Sequence, residues 1–157
     1  MEVKEHTISL LVNNKPDVLA RIAGTFSGRG YNIESISANV TLDPKITKIN
    51  IVTLGNSATI VQIEKQLKKL VDVIDAFHVK SRSAIQREMI IVRVEVAKGE
   101  EGGIIKAVEE FGCRVLKKGS GYFILEMTGN KEEIDQALTY LETLGMKTMS
   151  RSGRVVL

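Results

Sequence analysis

Two hydrophobic periods succeed one another in the same order twice along this 157-residue chain, and that recurrence restricts its fold more than any other feature. A period of two marks a strand with one buried face, and a period near 3.6 marks a helix with one buried stripe. Residues 7–12 alternate as a strand, and Asn13-Asn14-Lys15-Pro16-Asp17 reads as a turn. Val18, Leu19, Ile22, Ala23 and Phe26 then recur at helical spacing, with Pro16 or Asp17 at the start and Gly28 or Gly30 as the stop. Residues 31–40 alternate again until Asp43-Pro44, and residues 48–54 form a β-branched third strand. Asn56 or Ser57 caps a helix carrying Ile60, Ile63, Leu67 and Leu70, and residues 73–79 supply a fourth strand. The order is β-α-β-β-α-β.

The second half repeats that order without repeating the sequence. Residues 89–96 read as a strand, and Ile104, Ile105, Val108 and Phe111 mark a helix. Residues 113–117 and 122–128 pair across the tight Gly119-Ser120-Gly121 turn. Asn130 with Glu133 makes a capping box for a helix bearing Ile134, Leu138, Leu141 and Leu144. Residues 146–149, continued by 154–157, supply the last strand. The expected class is α+β: two ferredoxin-like βαββαβ sandwiches in tandem, at 1–80 and 87–157, joined by a linker at 81–86. A half of this size buries only about 60% of its unfolded surface, so packing between halves or between chains is expected.

Composition narrows the function classes. With 43% hydrophobic and 26% charged residues the chain reads as globular, and no apolar run reaches the length of a membrane span. The first residues have no basic region followed by an apolar stretch and a cleavage site, so a cytoplasmic protein is expected. The single cysteine, Cys113, excludes an internal disulfide and reads as a small buried hydrophobe. Twenty-two basic residues against 19 acidic ones form no long basic run, so a solvated surface is expected rather than a nucleic-acid patch.

Catalytic constellations are missing. His6 and His78 have no metal-ligand spacing and read as isolated structural or surface residues. Gly28-Arg29-Gly30 follows a helix and precedes a strand, the reverse of a dinucleotide fingerprint. The central strands of the first half present Ile8, Leu10, Ile49 and Ile51, with no aromatic on which a base could stack. No glycine-rich loop follows the first strand, which disfavours a small phosphatase on this fold.

Residues 14–36 (NKPDVLARIAGTFSGRGYNIESI) form a strand-turn-helix-strand unit whose turn aims helix N–H groups outward, a natural site for a small carboxylate. Asn14 and Asn32 each offer amide donors and an acceptor. Read from the residues alone, Asn14 and Asp17 equally well shape the turn and cap the helix, and Asn32 equally well tolerates an awkward backbone angle.

The segment resembles the first motif of the ACT domain, an amino-acid-sensing module, and more narrowly the small regulatory subunits of acetolactate synthase. The matching residues are Asn14, Pro16, Val18, Leu19, Arg21, Ile22, Gly24, Phe26, and the run Arg29 to Ser35. Residues 62–73, Arg87-Glu88 and Arg151-Ser152-Gly153-Arg154 are similarly family-like. Asp17 stands where that family has glycine, and the short basic tail usual in the family is missing after Leu157.

The resemblance implies an N-terminal ACT domain, a C-terminal ferredoxin-like domain, and a subunit without chemistry of its own. It implies a catalytic large subunit as partner, which holds the thiamine diphosphate, Mg and FAD, none of them bound by this chain. It further implies a homodimer through the ACT domains and feedback by a branched-chain amino acid, typically valine, in valine, leucine and isoleucine biosynthesis. The effector-binding residues implied are Asn14, Asp17, Val18, Asn32 and Ile33, with Asn32 coming from the partner chain. Nucleic acid and membrane are not expected partners. A free-standing ACT-domain sensor or transcriptional regulator is the alternative. As an N-cap, Asp17 either repels an effector carboxylate or holds its ammonium group.

Overall fold

A computed structural model describes residues 2–80 and 84–157, so residues 81–83 of the expected linker lie outside the described residues. Two compact units are present, Met1–Ile85 with Gly153–Leu157, and Gln86–Ser152.

The first unit is organised by β1 (Lys4–Asn13), whose alternate residues Ile8, Leu10 and Val12 are fully buried. It is followed by α1 (Val18–Ser27), β2 (Ser35–Val40), β3 (Ile46–Gly55), α2 (Ser57–Leu67) and β4 (Val73–His78). The antiparallel sheet has the order β2-β3-β1-β4. Register sets Ile8 against Ile51 and Leu10 against Ile49, so both strands present apolar rows to the same side. Val18, Ile22 and Phe26 of α1 and Ile60, Ile63 and Leu67 of α2 close over that row. Each such side chain contributes roughly 1.5–3 kcal/mol by burial. Asn56 caps α2, accepting from the Thr59 N–H at 2.9 Å.

The second unit comprises β5 (Gln86–Glu95), α3 (Gly102–Phe111), β6 (Arg114–Gly119), β7 (Tyr122–Gly129), α4 (Lys131–Thr143) and β8 (Met146–Arg151), with strand order β6-β7-β5-β8. Ile90, Val92 and Val94 pack beneath Ile104, Ala107, Ile134, Ala137 and Leu141. The Asn130–Glu133 capping box is present in both directions. Cys113 is buried and free, and burial pushes its thiol above the ordinary range. The expected α+β class and doubled βαββαβ order are both found.

Three local expectations are corrected. Strand pairing after α1 begins at Ser35, not at residue 31, because the positive φ of Gly30 and the Tyr31 N–H bond to the Phe26 carbonyl first turn the chain off the helix. Gly28 ends α1 as expected, in right-handed backbone, and Gly30 supplies the left-handed residue that follows. Leu19 and Ala23 lie outside the core, one helical step away from Val18, Ile22 and Phe26.

The third correction concerns the tail. Instead of extending β8, residues 153–157, with β9 (Val155–Val156), pack in the first unit. Arg154 is buried there, donating to Glu5 Oε2 and Thr7 Oγ1, each at 3.0 Å. The Ser37 hydroxyl donates to its carbonyl at 2.8 Å, and Lys48 Nζ donates to the Val156 carbonyl at 2.6 Å. Thr7, Ser9 and Asn50 on that side of the sheet are all buried, so a polar face needs polar cover.

The two histidines, far apart in sequence, face each other, with His6 Nδ1 3.0 Å from His78 Nε2. Antiparallel pairing of β1 with β4 sets His78 opposite Ile8, within reach of His6. Burial, then the facing His78, holds His6 below its ordinary 6.5. Burial does the same for His78, with Lys80 and Lys4 opposing the upward pull of Glu64. The folded chain thus binds fewer protons than the unfolded chain just below that pH. The pair's contribution is complete above it and is lost as pH falls. Urea unfolding of the wild type is expected to show a midpoint that drops between about pH 7.5 and about pH 5.5, and a shallower drop for His6→Gln/His78→Gln. Equal slopes would remove the pair from the pH response.

Candidate functional site

The loop between β1 and α1 is braced from two sides. Asn13 Nδ2 and Lys15 Nζ both donate to Asp72 Oδ1, at 3.1 and 2.7 Å, and the Asn13 N–H bonds the Asp72 carbonyl. Those donors, Lys15 first, hold the Asp72 carboxyl below its usual range. On the other side the Asn14 amide donates to the Pro44 carbonyl at 2.9 Å, and its backbone N–H to the Lys45 carbonyl at 2.7 Å. The loop therefore presents the start of α1 at a fixed place.

Asp17 occupies the N-cap position with right-handed backbone angles and makes no side-chain cap bond. The expectation that it caps the first turn is corrected: its carboxylate pairs with Arg21 at 2.5 Å, one helical turn on. The partial positive charge of the helix end is thus left without a side-chain acceptor. Val18 is 3% exposed and its side chain belongs to the core, so its accessible contribution at this end is backbone.

Asn32 and Ile33 lie in the segment between Gly30 and β2. The Asn32 carbonyl accepts from the buried Thr53 hydroxyl at 2.6 Å, and its side-chain amide donates to Glu34 Oε1 at 2.7 Å. The Glu34 N–H bonds the Val52 carbonyl, while Ile33 is half-buried against the first core.

Within one chain these two groups of residues are far apart. Asn13 pairs with Ile46, whereas Thr53, which holds Asn32, pairs with His6. Seven residues of β1 separate those register positions, about 24 Å at 3.4 Å per residue. Asn14, Asp17 and Val18 are brought together at one end of the sheet, and Asn32 and Ile33 at the other.

Between them runs an exposed surface of α1, with β2 at the edge of the sheet. Leu19, Ala20, Ala23, Gly24 and Ser27 form an exposed row on α1, and a Cβ added at Gly24 would meet open space. Beside it β2 is the edge of the sheet and, as Ser-Ile-Ser-Ala-Asn-Val, carries no charge. An uncharged edge strand lacks the usual guard against pairing with another strand. Sequence reading named Arg21, Asp72 and Arg154 only as family-like, with no role, and did not single out Thr53. Of these, Arg21 had a local signal for its contact, the i+4 spacing from Asp17.

Among the described residues, no three His, Cys, Asp or Glu side chains are grouped to hold a metal ion, and no helix is long and apolar enough to cross a membrane.

Comparison with known proteins places both units. Residues 8–75 match the model of the acetolactate synthase small-subunit-like ACT domain, and residues 87–157 match that of the small subunit of acetolactate synthase. The chain is 33% identical over 153 residues to a probable acetolactate synthase small subunit of Archaeoglobus fulgidus, covering 98% of this chain and 96% of that one. It is 35% identical over 157 residues to the acetolactate synthase small subunit of Mycobacterium bovis, covering 100% and 94%. The crystal structure of the acetolactate synthase small subunit from Thermotoga maritima superposes with a TM-score of 0.88 at 30% identity, covering 98% of this chain and 96% of that one.

Thr53 gives a direct check on the geometry of the Asn32 segment. Thr53→Val removes the hydroxyl and strands the Asn32 carbonyl at little change in volume, for an expected loss of about 1 kcal/mol. Amide exchange is expected to speed up at residues 31–34 and to stay unchanged at residues 13–17, at the far end of β1. Equal acceleration in both segments would contradict the separation.

Proposed function

The chain belongs to the acetolactate synthase small-subunit family, and on that premise we propose that it activates the catalytic large subunit and relays feedback from valine. As such it is the non-catalytic regulatory part of a complex that serves branched-chain amino-acid biosynthesis, with the large subunit as its partner. Thiamine diphosphate, Mg and FAD are assigned to that partner, and the cytoplasm is the compartment consistent with such a complex. The match of the second half to a small-subunit model favours this reading over a free-standing sensor.

One observation carries the effector site: Asn14 and Asn32 stand at opposite ends of β1. A twofold axis beside the uncharged β2 edge and the small-residue face of α1 brings the helix start of one copy to the Asn32 segment of the other. In that arrangement the α1 N-terminus receives the amino acid's carboxylate, the asparagine amides hydrogen-bond its polar groups, and the flanks of Leu19 and Ile33 receive its aliphatic side chain. Two half-sites on one symmetric dimer make occupancy depend on association, which is a basis for feedback.

The assay measures acetolactate formed from pyruvate by the large subunit, alone and with this chain, while valine, leucine and isoleucine are titrated. Faster turnover with the chain, valine inhibition, and a dimer by light scattering are expected. Turnover by this chain alone, no gain in rate, or a folded monomer would sink the corresponding part of the reading.

Asp17 and Arg21 refine the site. With Arg21 beside it, the Asp17 charge is largely offset, and a half-exposed pair of this kind is worth about 0.2–1 kcal/mol. Asp17→Gly is expected to tighten valine binding about twofold to fivefold by calorimetry, whereas Arg21→Ala, which leaves the carboxylate unpaired, weakens it by about as much. Weaker binding by Asp17→Gly would assign Asp17 to the ammonium group instead.

A further inference from the structure

The two histidines of the first unit stand beside the half-site to which Asn32 belongs. Pairing of β1 with β3 sets His6 directly opposite Thr53, and residues so paired have Cβ atoms about 4.5–5.5 Å apart on one face of the sheet. Thr53 is fully buried, and its hydroxyl holds the Asn32 carbonyl at 2.6 Å. His6 is 6% exposed, and β4 brings His78 Nε2 to 3.0 Å from its Nδ1. The other ring nitrogen of His6, Nε2, is buried and has no hydrogen-bond partner among the described residues. All of these residues belong to the first unit.

Four ring nitrogens share the protons of this pair. Neutral rings carry two, one of them in the bridge between His6 Nδ1 and His78 Nε2. The other goes on Nδ1 of the half-buried His78, so that His6 Nε2 keeps a bare lone pair and no buried N–H lacks an acceptor. A third proton has two places. On His6 Nε2 it makes a charged donor in a buried position without an acceptor, and in the bridge it sets N–H against N–H at 3.0 Å. Either way His6 has to move. The Gly55 backbone, which favours the protonated ring, lies two residues beyond Thr53 on the same strand. Burial opposes charge on both rings most, and Lys4 of β1 and Lys80 beyond β4 add to it. Glu64 of α2, itself paired with Lys68 at 2.7 Å, favours charge on His78.

We propose that His6 and His78 are positioning residues for the Asn32 half-site and make it proton-sensitive: the neutral pair keeps Thr53, and through it Asn32, in place, and uptake of a proton releases both. This regulation rests on the effector reading above, and it weakens valine binding as pH falls from about 7.5 to about 5.5, the range in which histidines take up a proton. The helix-start half-site lies outside the response, since it is pinned at the far end of β1 through Asp72 and Pro44. Valine itself keeps both its charges across that range, so the protein supplies the titrating group.

The test compares the full-length wild type, His6→Gln/His78→Gln and Thr53→Val at about pH 7.5 and about pH 5.5, each first checked for a cooperative unfolding transition. In the wild type, amide-exchange protection, corrected for the intrinsic effect of pH, is expected to fall at least about fivefold at residues 31–34 at the lower pH and to stay within about twofold at residues 13–17. The valine dissociation constant from calorimetry is expected to rise at least about fivefold over the same step, the lower end of the usual coupling between sites. In the double variant both responses are expected to shrink to within about twofold. Thr53→Val cuts the link to Asn32 at nearly constant volume. It is expected to bind valine more weakly at both pH values and without the pH response, and it supplies the comparison if the double variant does not fold. Wild-type protection that stays unchanged at residues 31–34, or pH responses of equal size in wild type and variants, overturn the role of the histidines alone. A wild type that binds no branched-chain amino acid at either pH overturns the effector reading and this regulation with it.

Discussion

The first unit depends on β1 having two buried faces of opposite chemistry. Ile8, Leu10 and Val12 point into the helix layer, where close packing of apolar side chains suffices. Thr7 and Ser9 point the other way and are equally buried, so they require partners: Ser9 donates to Asn50 at 2.9 Å, and Thr7 receives Arg154. A guanidinium so placed is tolerable because Glu5 stands within 3.0 Å of it. The second unit's β5 has no such demand. Its alternate residues Met89, Ile91, Arg93 and Glu95 remain exposed while Ile90, Val92 and Val94 fill the core.

β1 also separates the two groups of residues on which the regulatory reading rests. A ten-residue strand holds its ends far apart, and each end is pinned independently, one through Asp72 and Pro44, the other through Thr53. On the proposed reading, rigid separation within a chain makes association a requirement for the complete site. A ligand needing both groups has to recruit a second copy, and binding and dimerisation then become linked equilibria.

The edge strands of the two units differ in a way that follows from charge. β2 is uncharged, whereas β6 presents Arg114, Lys117 and Lys118 in six residues, the usual protection of an edge against unwanted pairing. Arg114 and Lys118 are further tied to Glu126 and Glu101, at 2.9 and 3.0 Å. The same fold, used twice, thus leaves one edge without guarding charges and guards the other.

The sequence by itself determined the doubled βαββαβ order and the caps at Asn56 and Asn130, but not every core face. In β4 it is Ala76 that is buried while Asp75 and Phe77 are exposed. Ile8, Leu10, Ile49 and Ile51 face the helices rather than the open side of the sheet. The order and the caps are set by period, turn chemistry and neighbours within four residues. It also carried the motif that marks the family, and the i+4 spacing that pairs Asp17 with Arg21. Tertiary structure alone decided that Leu19 and Ala23 stay outside the core, that pairing starts at Ser35, and that His6 meets His78. It likewise sent residues 153–157 back to the first unit, through Arg154 and through the space that only a glycine leaves beside Ile36. The division has one physical cause. Periodicity and capping are written in residues close along the chain, whereas which distant strand lies opposite, and which buried polar group calls for a partner, is fixed only when the sheet has formed.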